Sequence, residues 1–76
     1  MNQSPLSELE DNCVATIHHI DDDELSLKLL EMGFIPGQPV MIEHRSLSND
    51  PLAVRVAGYM IALRREEAQL IWVEIG

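Results

Sequence analysis

Seventy-six residues, 46% apolar and 24% charged, describe a packed globular chain with room for one small core, so residues 1–76 are expected to form a single domain. Five basic against thirteen acidic residues give a formal net charge of -8, a field that repels phosphate backbones and anionic membrane surfaces and argues against a nucleic-acid partner. The lone cysteine, Cys13, excludes an internal disulfide and any zinc site built from several cysteines.

In chain order, the polar start "MNQSPLSELED" lacks the basic and apolar regions of a secretion signal. No apolar run approaches the roughly 18 residues of a spanning helix. The expected location is therefore the cytoplasm, without direct insertion into a membrane. Within that start, "PLSEL" makes a single helical turn that sets Leu6 and Leu9 on one side. Asp11-Asn12 marks a turn, and "NCVATIHHI" reads as a strand from its β-branched content. Ala15 and Ile17 share a face by period two, whereas Ile20 breaks the period. A bulge near His18-His19 is needed to turn all three inward.

The rhythm then changes to that of a helix. In "DDDELSLKLLEM", Leu25, Leu29 and Met32 recur at i, i+4, i+7 as one apolar stripe. Asp21 or Asp22 caps its start, and the neighbouring acids sit where the helix dipole favours negative charge. Leu27 and Leu30 lie off the stripe. Gly33 stops the helix in a left-handed conformation, which lets Phe34 fold back toward the preceding turn. Ile35-Pro36-Gly37-Gln38 has proline and glycine where a type II turn requires them, and Pro39 allows a strand to begin.

Short strands follow. Val40 and Ile42 alternate with Met41 and Glu43, "SLSNDP" breaks the chain, and Leu52, Val54 and Val56 alternate with Ala53, Arg55 and Ala57. Gly58 supplies the positive φ of a tight hairpin, after which Tyr59, Ile61 and Leu63 share one face. "RREEAQL" forms a helical turn or bend. The last strand places Ile71, Val73 and Ile75 opposite Trp72. Five short strands with a helix inserted after the first leave exposed edges, which curling into a small five-stranded barrel removes.

Two surfaces invite a functional reading. A rigid corner that holds Met32, Phe34 and Ile35 near the surface, beside Leu27 and Leu30, offers apolar anchors to a protein partner. "HHIDDDE" contains nitrogen and oxygen donors suited to Fe(II). Adjacent histidines on a strand point to opposite faces, however, and acids that open a helix are explained by capping and the dipole, so no metal ligands are assigned. Arg64 and Arg65 stand beside Glu66 and Glu67 as a solvated ion-pair cluster rather than an arginine finger. No phosphate-binding loop and no spaced nucleophile with its base occur. The expectation is a chain that is not an enzyme and carries no cofactor.

"PLSEL", "ATIHHI", "LLEMGFIPGQPV" and "DPLAVRVAGYMIALRREEAQLIWV", in that order, resemble the pattern of the FeoA family over nearly the whole chain. Its most specific parts are Gly33, Pro36 and Gly37, then Asp50-Pro51, Gly58, Ala62-Leu63-Arg64 and Glu67-Ala68. The resemblance implies an SH3-like barrel and a small cytosolic companion of the membrane ferrous-iron transporter FeoB that binds its cytosolic G-protein portion, or a neighbouring piece of it, and supports ferrous-iron uptake. Family members often carry glycine in the turn before the first strand, where this chain has Asn12, a residue that tolerates positive φ. The alternative is a metal-responsive regulatory SH3-like domain related to those of iron-dependent repressors, although nothing in the sequence supplies the DNA-reading helix pair of such repressors.

Overall fold

A computed structural model describes residues 2–48 and 50–75. The elements run β1 (Asn2–Pro5), a 3-10 turn (Leu6–Glu8), β2 (Val14–Ile20), α1 (Asp23–Leu30), β3 (Pro39–Arg45), β4 (Leu52–Val56), β5 (Tyr59–Leu63), α2 (Arg65–Ala68) and β6 (Ile71–Ile75). All strand pairings are antiparallel, in the order β1-β6-β2-β3-β4-β5. The chain is mainly β, as the alternation requires, but the described residues form six strands rather than five. The added strand, β1, pairs with β6 from Asn2↔Ile75 to Pro5↔Trp72. Its sequence, NQSP, has no apolar alternation, so backbone pairing rather than side-chain pattern makes it a strand.

Closure also differs from the expected barrel. Among the described residues, β1 and β5 are edges that no hydrogen-bond ladder joins. The sheet instead curls until the 3-10 turn that follows β1 packs on α2, which follows β5. Leu6, Leu9, Leu63 and Ala68 from this seam are all buried in one cluster with Ala15, Ile17, Val40, Ile42, Leu52, Val54, Val56, Ile71 and Val73. Side-chain packing thus does at the seam what paired strands do elsewhere. The Arg45 guanidinium braces the same end, donating to the Ser7 carbonyl at 3.1 Å, to the Leu9 carbonyl and to the Asp11 carboxylate.

Local chemistry sets the joints. Asn12 adopts φ 64° in the turn before β2, and its N–H donates to the Ile42 carbonyl at 2.8 Å. The expected bulge lies between Ile17 and His19 of β2, where the pairing passes from Ile17↔Val73 to His19↔Trp72. A second bulge, between Ile42 and His44 of β3, leaves no mark in the apolar pattern. Asp22 is the cap of α1, its carboxylate accepting from the Leu25 N–H at 2.9 Å. Asn49 of the β3–β4 break lies outside the described residues, whereas Asp50 accepts from the Arg65 N–H at 3.1 Å and so caps α2.

The exit of α1 is a six-to-one, five-to-two stop. The Phe34 N–H donates to the Leu29 carbonyl at 3.1 Å and the Gly33 N–H to the Leu30 carbonyl at 3.1 Å, with Gly33 at φ 96°. The type II turn follows, with Gln38 N–H donating to the Ile35 carbonyl at 3.0 Å and Gly37 at φ 93°. Gly37 and Gln38 then exchange hydrogen bonds with Ile17 of β2 at 2.7 and 3.0 Å, which fixes the corner to the sheet. Across from it, Ala57 and Gly58 both have positive φ, 52° and 83°, in a two-residue hairpin turn. A Cβ placed on Gly33 would lie 2.7 Å from that of Ala57. The helix exit and the β4–β5 hairpin therefore touch, backbone against side chain.

α1 and α2 are tied by an ion pair between Lys28 and Glu67 at 3.2 Å, and the Glu67 carboxylate also accepts from the Arg64 N–H at 3.1 Å. Burial pushes the Glu67 carboxyl upward, but the Arg64 hydrogen bond and the Lys28 ammonium outweigh it and hold it below its ordinary value. A carboxyl depressed in the folded state stabilises the fold above its unfolded pKa, and that contribution disappears as pH falls through the folded one. Glu67→Gln is accordingly expected to cost up to about 1 kcal/mol at neutral pH, since Lys28 is largely solvated, and nothing at low pH. Melting curves of both proteins between about pH 7 and pH 3 check this: the gap should close on acidification, and a constant gap contradicts the assignment.

Candidate functional site

The residues expected at the helix exit separate into two groups. Leu27 (69% exposed), Leu30, Met32 and Ile35 are open to solvent. Phe34 is not: at 1% exposure it is among the largest side chains of the core, and its assignment as a surface anchor is corrected. The reason is the stop itself, which turns Phe34 back over Leu29, also fully buried. Met32 departs from the predicted inward stripe, because the helix ends at Leu30 and Met32 no longer follows its periodicity. Leu29 is buried and Leu25 packs against the core, so the stripe holds only as far as the helix does. Gly33, Pro36, Gly37 and Gly58 occupy the turns expected of them.

The fold adds residues that sequence spacing does not bring together. Met32 and Glu31 face Tyr59, Met60 and Ile61 of β5 across an open cleft of about 330 Å³. Tyr59, expected on the inner face with Ile61 and Leu63, is 68% exposed. It opens the edge strand next to the hairpin turn, while Leu63 at the other end is buried. Leu27 and Leu30 stand three apart on the outer side of α1, directly before this cleft. Met32 and the start of the edge strand thus share one cleft, and Leu27, Leu30 and Ile35 are exposed in the chain segments on either side of Met32. Glu31 is the acid that lines the cleft.

The other candidate residues lie apart. Arg64 pairs with Glu66 at 3.7 Å with both side chains about three-quarters exposed, as a solvated cluster should be. Arg55 pairs with Glu43 across β3 and β4. Cys13 and His44 are exposed. The expectation that His18 and His19 point to opposite faces is overturned: the bulge brings their Nδ1 atoms to 2.7 Å. No group of three or more histidine, cysteine or acidic side chains is placed to hold a metal ion among the described residues. Of the three aromatics, Phe34 is buried, Tyr59 exposed and Trp72 half-buried against His19, so they form no common groove. No helix among the described residues is long and apolar enough to cross a membrane.

A curled antiparallel sheet of short strands, with a helix between β2 and β3 and an apolar rim at the helix exit, defines a small SH3-like module. Within that class the chain belongs to the FeoA family, whose FeoA domain model matches residues 4–75. The Fe(2+) transport protein A/Fe(2+) transporter FeoB fusion protein of Porphyromonas gingivalis is 35% identical over 71 residues. That match covers 92% of this chain, and the chain spans only 8% of the fusion protein's length. The FeoA of Stenotrophomonas maltophilia, solved in complex with zinc and described as a procaryotic SH3 domain protein, superposes with a TM-score of 0.81 at 31% identity over 91% of this chain and 87% of that one. The T. acidophilum IdeR matches with a TM-score of 0.81 at 27% identity, over 100% of this chain and 35% of that one.

Proposed function

We propose that the protein is a non-enzymatic, cytoplasmic accessory factor for ferrous-iron transport, which acts by docking on the cytosolic part of a FeoB-type transporter. The exposed apolar side chains of Leu27, Leu30, Met32 and Ile35 with those of Tyr59 and Met60 carry this reading. An acidic chain of this size that leaves six large apolar side chains exposed around one rigid joint has the makings of an interface anchor cluster. The FeoA–FeoB fusion in Porphyromonas gingivalis supports the choice of partner, because joining two domains in one chain raises their effective concentration. Phe34 and the three glycines serve the site indirectly, by keeping the exit rigid so that little ordering entropy is lost on docking.

Amide chemical shifts recorded as the soluble cytosolic part of the transporter is added test the surface. Residues 27–35 and 59–61 should move or broaden together, while Asp11 and Arg45 at the opposite brace stay in place. Perturbation confined to the brace would place the interface elsewhere. A second reading, a metal-responsive regulatory domain, draws on the likeness to T. acidophilum IdeR. It requires tight stoichiometric uptake of Mn(II) or Fe(II), which calorimetry detects directly.

A further inference from the structure

The two edges of the sheet are guarded differently. β1 is four residues long, polar, and carries Pro5, features that discourage another strand from pairing with it. β5 reads YMIAL, with no charge, proline or glycine, and its ladder with β4 runs from Val56↔Tyr59 to Leu52↔Leu63 without a bulge. Because Ala57 and Gly58 form a two-residue turn, Val56 and Tyr59 are a hydrogen-bonded pair, and alternation along the ladder points the backbone groups of Tyr59, Ile61 and Leu63 toward β4. The N–H and C=O groups of Met60 and Ala62 therefore face away from the sheet. Among the described residues no backbone hydrogen bond outside the ladders reaches them.

We propose that this edge pairs with the same edge of a second copy of the chain, in an antiparallel two-fold ladder centred on Ile61. The register follows from the free groups. With Ile61 opposite Ile61 of the second copy, each Met60 exchanges both its hydrogen bonds with Ala62 of the other chain, and every outward group is satisfied. The next registers would pair Ala62 with Gly58 of the turn, or Met60 with Arg64, whose N–H already donates to Glu67 at 3.1 Å. The side chains agree. On the outer face Met60, 48% exposed, lies against the small Ala62 of the second copy, and on the other face Tyr59 meets Leu63 while the two Ile61 side chains meet at the axis.

Charge selects a second copy over an arbitrary extended segment. Glu31 lines the cleft beside Tyr59 and Met60 at the start of β5, and Arg65 follows the end of the strand. Both are exposed, and neither has an ion-pair partner among the described residues. Antiparallel pairing brings the Arg65 end of each copy to the Glu31 end of the other. The contact is one short strand from each chain, and each chain carries a net charge of -8, so the dimer is transient and depends on concentration. Pairing covers Tyr59 and Met60 and so withdraws them from the transporter. That consequence alone rests on the docking reading.

Sedimentation velocity of the full chain without the transporter, at concentrations rising into the millimolar range, tests the pairing. The weight-average mass should climb from that of one chain toward that of two. Met60→Lys, which sets a charge on the exposed edge, and Ala62→Pro, which removes an N–H that β4 does not use, should both stay at one chain. Val14→Lys is the control, since Val14 is 64% exposed in the same cross-strand row as Met60 but on β2, and it should associate as the parent does. A parent that remains one chain throughout, a Met60→Lys variant that associates like the parent, or a Val14→Lys variant that does not, overturns the proposal. In a mixture of isotope-labelled and unlabelled parent chains, an interchain nuclear Overhauser contact between the two Ile61 Hα protons is expected. Interchain contacts confined to other strands would refute the edge.

Discussion

Phe34→Ala should lower the stability of the protein by about 3–5 kcal/mol, the cost of removing a large aromatic side chain from a closed core. For a domain of this size each kcal/mol shifts the melting temperature by about 4–8 °C, so a fall of more than about 10 °C is expected. Phe34 is 1% exposed and is seated over Leu29 by the backbone bonds of the helix stop. The surrounding walls cannot collapse into the space, because they are strand residues held by the ladders and a corner pinned to Ile17. Thermal unfolding measures this directly. A variant that melts within about 3 °C of the parent would place Phe34 outside the core, where the sequence alone had put it.

The difference between Phe34 and its neighbours illustrates what the sequence encodes plainly and what it does not. Features dictated by one residue's backbone requirements were legible: the Asp22 cap, the stop at Gly33, the type II turn at Pro36-Gly37 and the hairpin at Gly58. So was the β2 bulge, because Ile20 is out of phase with Ala15 and Ile17. The direction of Phe34 was only half legible. Its return toward the helix follows from the stop, but whether that path ends in the core or on the surface depends on the strands beneath it.

Features that depend on distant chain segments were not legible. β1 has no apolar pattern and exists by pairing with β6 at the other end of the chain. Arg45 braces Ser7, Leu9 and Asp11, partners more than thirty residues away, and no local motif announces this. Tyr59 and Met60 share a cleft with Met32 because the hairpin turn meets Gly33, a contact that the separate sequence patterns of the two segments do not contain. The histidine pair is a subtler case: the bulge was foreseeable, whereas its effect on side-chain direction required the register.

The largest effect on function is expected from Leu27→Glu. Leu27 is 69% exposed on the outer side of α1, and glutamate is a good helix former, so stability should change by no more than about 0.5 kcal/mol. In a docked interface the same change buries a carboxylate without a partner, a cost of about 2 kcal/mol or more, equivalent to a loss of affinity of roughly thirtyfold. Phe34→Ala and Leu27→Glu therefore separate the two roles of the helix exit, one side chain supporting it from within and the other presenting it.

Calorimetric titration of the soluble cytosolic part of the transporter with the parent protein and with Leu27→Glu measures the docking claim directly. The parent should bind saturably and Leu27→Glu at least about tenfold more weakly, with melting temperatures that agree within about 3 °C. Equal affinities for the two proteins would contradict the assignment of the exposed apolar side chains at the helix exit as the docking surface.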